Sequence, residues 1–373
     1  MIWCRYQFDG GDSVKRTSNH SEQRLFREEV LNFTQEKAKA FSLLFVPPAE
    51  GGGMEISMKK NIVKIGLAVV AGLVLLGTAG GAFVTGKMVC DGILQQNDGN
   101  DTKQNSIGQL EKWGFDREAF HETYKGIDFA IQSVDKNTIP GTYYRTTQDS
   151  DKWVILIHGA GGDRECVIPL VGEYIEKGYH VITYDQRGHG DNTDPKVSFG
   201  IFEKRDVEAL VDYAKTKLGA QVVVVHGQSM GAQTAALYAA TEHARNQIDA
   251  VILDSPVPGL ELFMKLMFLE DGCSEMEAEA ILTCGKVYSN IVAGMKFEDA
   301  DTMEQAKKIT VPCMVILSEK DDVCLPEYVE KVYDNVASSN KRMLRVDSKH
   351  IEGVIDHPQE YFDEVFQFLG SIR

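Results

Sequence analysis

The apolar and polar positions of this chain fall into three regimes. Residues 1–53 show no sustained period, and charges are scattered through them. Residues 62–86, IVKIGLAVVAGLVLLGTAGGAFVTG, form one long apolar run whose single charge, Lys64, lies near its start. From about residue 105 onward, short apolar runs alternate with stretches of helical period. The short runs at 127–133, 141–146, 153–157, 180–184, 222–225, 251–253, 313–317 and 343–346 read as strands. Several are apolar throughout, the mark of strands covered on both faces. The pattern predicts an α/β fold: a mostly parallel, eight-stranded sheet with helices on both faces, over residues 105–373. The run Val222–Val225 lies centrally in that order.

An insertion at 257–310 separates the last two strands from the rest. Its segment LELFMKLMFLEDG is apolar on nearly every side. It is either an ordinary helix packed on the sheet or a small helical cap lined by Phe263, Met264, Met267 and Phe268.

After Lys64 the long run holds about twenty uncharged residues, enough to cross a hydrocarbon core. Lys59, Lys60 and Lys64 lie before it, so the positive-inside rule places the N-terminal side in the cytoplasm and the body beyond Lys87 outside. The expectation is a single-pass anchor over residues 58–87, at the cell membrane, with an extracytoplasmic body. A cleaved export signal is the competing reading, but the run exceeds the roughly 7 to 15 residues of a signal core. Residues 1–57 run into the segment PPAEGGGMEISMKK, residues 47–60, which resembles a translated purine-rich ribosome-binding site ahead of Met54 or Met58. They read as a non-native extension or as a short cytoplasmic tail.

The formal net charge is −16, and residues 1–60 are nearly balanced, so the body carries the acid excess. That argues against nucleic acid as a partner and against a broad electrostatic grip on anionic lipid. The seven cysteines show no CxxC and no metal-ligand spacing with histidine, so neither metal nor other cofactor is expected. Cys273 and Cys284 flank one predicted helix, as a disulfide or as two buried thiols.

Chemistry enters at VVVVHGQSMGAQTAALYAA, residues 222–240. A buried strand is followed by Gly-x-Ser-x-Gly and then by an alanine-rich helix former. Ser229 therefore stands on a tight strand-to-helix turn, with Gly227 and Gly231 removing the Cβ atoms that would clash there. A serine hydroxyl is a weak nucleophile until a base takes its proton, and the base needs a third group to orient it. Such groups are sought on later strand ends.

The motifs HGAGGDR at 158–164, YDQRGHGDN at 184–192, GQSMGA at 227–232 and DSP at 254–256, with a late Asp and His, come one after another in order. Over residues 110–373 the chain resembles the alpha/beta-hydrolase family, and within it the bacterial serine-aminopeptidase-like and monoglyceride-lipase-like hydrolases. The resemblance implies His350 as the base. For the acid it offers two neighbours: counting from Ser318 selects Asp321, and counting back from Pro326 selects Asp322. Asp321 is expected, because the strand fixes where the loop begins. The resemblance also implies an oxyanion hole from the backbone N–H groups of Ala160 and Met230. His158, Asp185, Arg187 and His357 are expected to be structural. The function implied is a serine hydrolase that cleaves small-molecule carboxylic esters, of short to medium acyl chain or monoglyceride-like, through an acyl-enzyme. The rivals are a serine aminopeptidase, with Glu261, Glu270 or Asp271 holding the substrate amine, and a catalytically silent surface binding protein.

Overall fold

A computed structural model describes residues 77, 80–91 and 102–372, and the described residues from 82 onward belong to one compact unit. Its strands are β1 (Ile127–Gln132), β2 (Thr138–Tyr144), β3 (Lys152–Ile157), β4 (His180–Tyr184), β5 (Val222–Gln228), β6 (Ala250–Asp254), β7 (Cys313–Ser318) and β8 (Lys341–Val346). They form one sheet in the order β1-β2-β4-β3-β5-β6-β7-β8. β2 runs antiparallel to both β1 and β4, and the remaining pairs are parallel. All eight strand positions read from the sequence are occupied.

Two ends differ from the apolar pattern. β2 begins at Thr138 and runs through Pro140, which this position tolerates because it supplies a carbonyl, not an N–H, to Asp185. β5 continues past its valines through His226 and Gln228, whose backbones pair with Ile252 and Asp254 of β6. Sheet pairing uses main-chain groups, so polar side chains are admitted wherever internal partners exist.

Alternation along the strands divides the core. Val223 and Val225 belong to one apolar cluster, and Val224 faces the other with Leu156, Ile252 and Ile316. A side chain of this kind contributes about 1.5 to 3 kcal/mol when fully buried. The helix Met230–Ala239 is buried at every residue. Its alanines let it lie flat between the sheet and its neighbours.

Between β6 and β7 the insertion folds into helices Leu260–Glu270 and Glu275–Tyr288, a π-turn at Ser289–Ala293, a short 3-10 turn at Phe297–Ala300 and the helix Thr302–Ala306. Ser274 and Glu277 form a reciprocal cap at the start of the second helix. Phe263, Met264 and Met267 are buried in the same apolar cluster as Ala160 and Met230, and Phe268 packs against its rim.

Residues 1–57 and most of the expected anchor, 58–87, lie outside the described residues. Among the described residues no helix is long and apolar enough to cross a membrane. The compact unit also reaches back past residue 105. A helix at residues 80–91 lies against the helix Glu275–Tyr288. A Cβ on Gly86 would come 2.4 Å from the Cys284 carbonyl oxygen. Residues 82–87, assigned by hydropathy to the membrane, thus have a protein partner along one side. Cys284 is a free thiol, so it is not bonded to Cys273, and both are half-buried.

Candidate active site

β5 ends at Gln228 and the next helix begins at Met230, so the turn between them is one residue, Ser229. Its φ of 57° and ψ of −120° lie where L-residues rarely go, a strain of about 1–3 kcal/mol that recurs at functional sites. Both flanking glycines are required by close approach. A Cβ on Gly227 would meet the Gly231 carbonyl oxygen at 2.2 Å, and one on Gly231 would meet that of Ile157 at 2.2 Å. The Ser229 N–H donates to the Asp254 carbonyl at 2.8 Å, which ties the turn to the end of β6.

Ser229 Oγ lies 2.8 Å from His350 Nε2, and His350 Nδ1 lies 2.7 Å from Asp321 Oδ2. The carboxylate only accepts, so Nδ1 carries the ring proton and Nε2 faces the serine as an acceptor. Asp321 is fixed in turn: its Oδ1 accepts from the N–H groups of Val323, at 2.9 Å, and Cys324, at 2.8 Å. Its neighbour Asp322 is exposed. His357 starts the C-terminal helix and donates to the Asp347 carbonyl, away from this chain of bonds. The structure brings Ser229, His350 and Asp321 together and leaves Asp322 and His357 out.

Burial alone would lower the His350 pKa. The Asp321 carboxylate outweighs that, aided by Asp254 and Asp322, and the imidazole ends above its ordinary value of 6.5. Ile351, directly after it, has a φ of 54°, and Ser255, directly after Asp254, one of 48°. Strain gathers at three loops that leave the sheet on one side.

The loop containing Ala160 is clamped by two buried imidazoles. His158 Nε2 accepts from the Gln186 N–H at 3.1 Å and Nδ1 donates to the Gly159 carbonyl. His189 Nε2 accepts from the Gly161 N–H at 2.9 Å and Nδ1 donates to the Arg187 carbonyl. Burial holds both neutral, with pKa values of about 3 and about 4. The segment after β4 is anchored by Asp185, which accepts from Arg164 and from the Asp191 N–H. Arg187 is anchored by Asp206 and Asp135. Ala160 is fully buried, and Met230 heads the helix after Ser229, where first-turn N–H groups have no intrahelical partner.

A polar chain beneath the site has no counterpart among the sequence expectations. Tyr361, on the helix Pro358–Gly370, donates to Asp254 Oδ2 at 2.9 Å and accepts from His226 Nε2 at 3.1 Å. His226 Nδ1 therefore accepts from Tyr174 at 2.9 Å. Gln228 Nε2 and Ser255 Oγ also donate to the Asp254 carboxylate. Burial raises the Asp254 pKa. The residue whose carbonyl holds the Ser229 N–H is thereby held itself. The only local signal is His226 and Gln228, two polar residues at the end of an otherwise apolar strand.

Residues 152–271 match the family model of the alpha/beta hydrolase fold. An uncharacterized protein of Bacillus subtilis, YqkD, is 24% identical over 320 residues, covering 85% of this chain and 99% of that one. A proline iminopeptidase of Lacticaseibacillus rhamnosus is 26% identical over 281 residues, covering 62% of this chain and 94% of its own. Among solved structures, the Pyrococcus furiosus esterase Pf2001 superposes with a TM-score of 0.55 at 21% identity, covering 69% of this chain and 96% of that one. The sheet order, the strained serine turn and the family match agree: the chain has the alpha/beta hydrolase fold.

Proposed function

We propose that the protein is a serine hydrolase of carboxylic esters, held at the cell membrane with its catalytic body on the extracytoplasmic side. The observation that carries the reading is the continuous relay from Ser229 Oγ through His350 to Asp321 on a strained turn. In the proposed reaction Ser229 Oγ attacks the acyl carbon while its proton passes to His350 Nε2. The N–H groups of Ala160 and Met230 receive the oxyanion, each such donor being worth about 3 kcal/mol. Collapse expels the alcohol, which takes the proton from His350. Water, activated by the same imidazole, then attacks the acyl-enzyme and releases the acid. A relay with every member in place favours turnover over a silent binding role.

The insertion acts in this reading as a cap. Phe263, Met264 and Met267 are buried apolar side chains of this insertion, a lining suited to an acyl chain, where each buried methylene contributes about 0.8 kcal/mol. The likeness to a proline iminopeptidase supports aminoacyl cleavage as the second reading. That chemistry needs a carboxylate for the free amine. Glu261 is paired with Lys286, both oxygens at 2.9 Å, and Glu270 and Asp271 are exposed. The expected result is a kcat/KM for p-nitrophenyl butyrate to octanoate well above that for aminoacyl p-nitroanilides. A clear advantage for the anilides moves the protein to the second reading.

Membrane attachment is proposed from the uncharged run that ends at Gly86. Protease added to intact cells should digest the body beyond Lys87. A body that resists until the cells are lysed reverses the topology.

A further inference from the structure

Most of the exposed large apolar side chains among the described residues gather in two short stretches. Phe83, Val84 and Met88 belong to the helix at 80–91, and Val287, Ile291 and Val292 to the end of the helix Glu275–Tyr288 and the π-turn after it. Their exposure runs from 43% at Met88 to 73% at Ile291. The two stretches adjoin. Val89 and Cys90 meet Gly285, Gly86 meets Cys284 and Tyr288, and the Phe83 and Tyr288 rings stack edge to face at 4.9 Å. The helices are therefore antiparallel, which puts the π-turn after Tyr288 at the Phe83 end.

Charge stops at one level on both. On the first helix Lys87 pairs with Asp91, and no charge occurs from Ile65 to Gly86. On the second, Lys286 pairs with Glu261, and no charge occurs from Val287 to Met295. At about 1.5 Å per residue the uncharged zone from Phe83 to Gly86 is roughly 5 Å deep. An aromatic pair, Phe83 with Tyr288, marks it. These are the features of a surface at the headgroup level of a bilayer, apolar with aromatic residues and with paired charges behind.

We propose that this face, formed by the 80–91 helix and the 287–292 turn, rests in the boundary between headgroups and acyl chains of a lipid bilayer. The occupant is lipid because the covalent chain leads there: the long uncharged run passes directly into Phe83 and Val84. The inference rests on the reading that residues 58–87 attach the protein to a membrane. The acidic body gives no electrostatic help, so the contact is apolar and insensitive to salt.

The test uses the full chain in phosphatidylcholine vesicles containing acyl-brominated lipid, with Ile291→Trp and Val292→Trp as probes. Val134→Trp, at an exposed position in the turn between β1 and β2, is the control. Turnover of a soluble ester shows that each variant is folded. The bromolipid should quench the emission added at 291 and 292 about twofold or more, and that at 134 hardly at all, since a face buried about 5–10 Å lies within reach of the bromines. Quenching should persist in high salt. Vesicles that float with the protein while 291 and 292 stay unquenched overturn the inference and leave the attachment standing. Protein that neither floats nor is quenched overturns both. Emission shielded from acrylamide but indifferent to bromolipid overturns the inference in favour of a second copy of the chain.

Discussion

Ser229→Ala lowers ester turnover by about 10⁶-fold, the loss found when a nucleophile that works as one unit with its base is removed. Labelling by a fluorophosphonate probe disappears with it. The substitution deletes only Oγ, whose partner is His350, and keeps the N–H that donates to Asp254. Thermal unfolding should therefore stay close to that of the unaltered protein. Residual turnover near the original rate would place the chemistry elsewhere.

Asp321→Asn lowers kcat by about 10⁴-fold, because an amide in that place favours the wrong imidazole tautomer. Asp322→Asn, at an exposed residue, changes it by less than about threefold, since an exposed charge is screened by solvent. The pH profile separates the two further. His350 must be neutral to accept a proton, and its pKa is raised above 6.5, Asp321 being the main cause of the rise. The acid limb of kcat/KM should accordingly fall above pH 6.5 in the unaltered protein. It should move to lower pH in Asp321→Asn, where burial is no longer outweighed. Equal losses in the two variants, or an unmoved limb, would contradict this assignment.

The strands were legible because five of them, β3 to β7, are covered on both faces and their sequences are nearly continuous apolar runs. The serine turn was legible because its glycines answer to main-chain contacts local to the motif. The acid was ambiguous by one residue, since spacing rules do not see which carboxylate receives the N–H groups of Val323 and Cys324. The chain from Tyr174 to Asp254 was hidden for another reason: Tyr361 and Asp254 stand 107 positions apart, and no local pattern marks such a pair. Hydropathy likewise does not distinguish lipid from protein as the neighbour of an apolar helix. The close approach of Gly86 to Cys284 and the contact of the Phe83 and Tyr288 rings reveal that residues 82–87 meet the protein on one side.

Ser229 and His350 are separated by 121 positions in the chain, and that distance orders events during synthesis. The serine turn, with β3 and β4 already made, is in place for pairing long before its base exists. Tyr361, which fixes Asp254, comes later still. Because loop closure over such a span precedes any gain from the contact, the nucleophile remains an inert hydroxyl in every nascent chain that stops short of the last strand and helix. A hydrolase so arranged does not acylate itself or its neighbours while still leaving the ribosome, and activity arrives only once His350 and Tyr361 have been made.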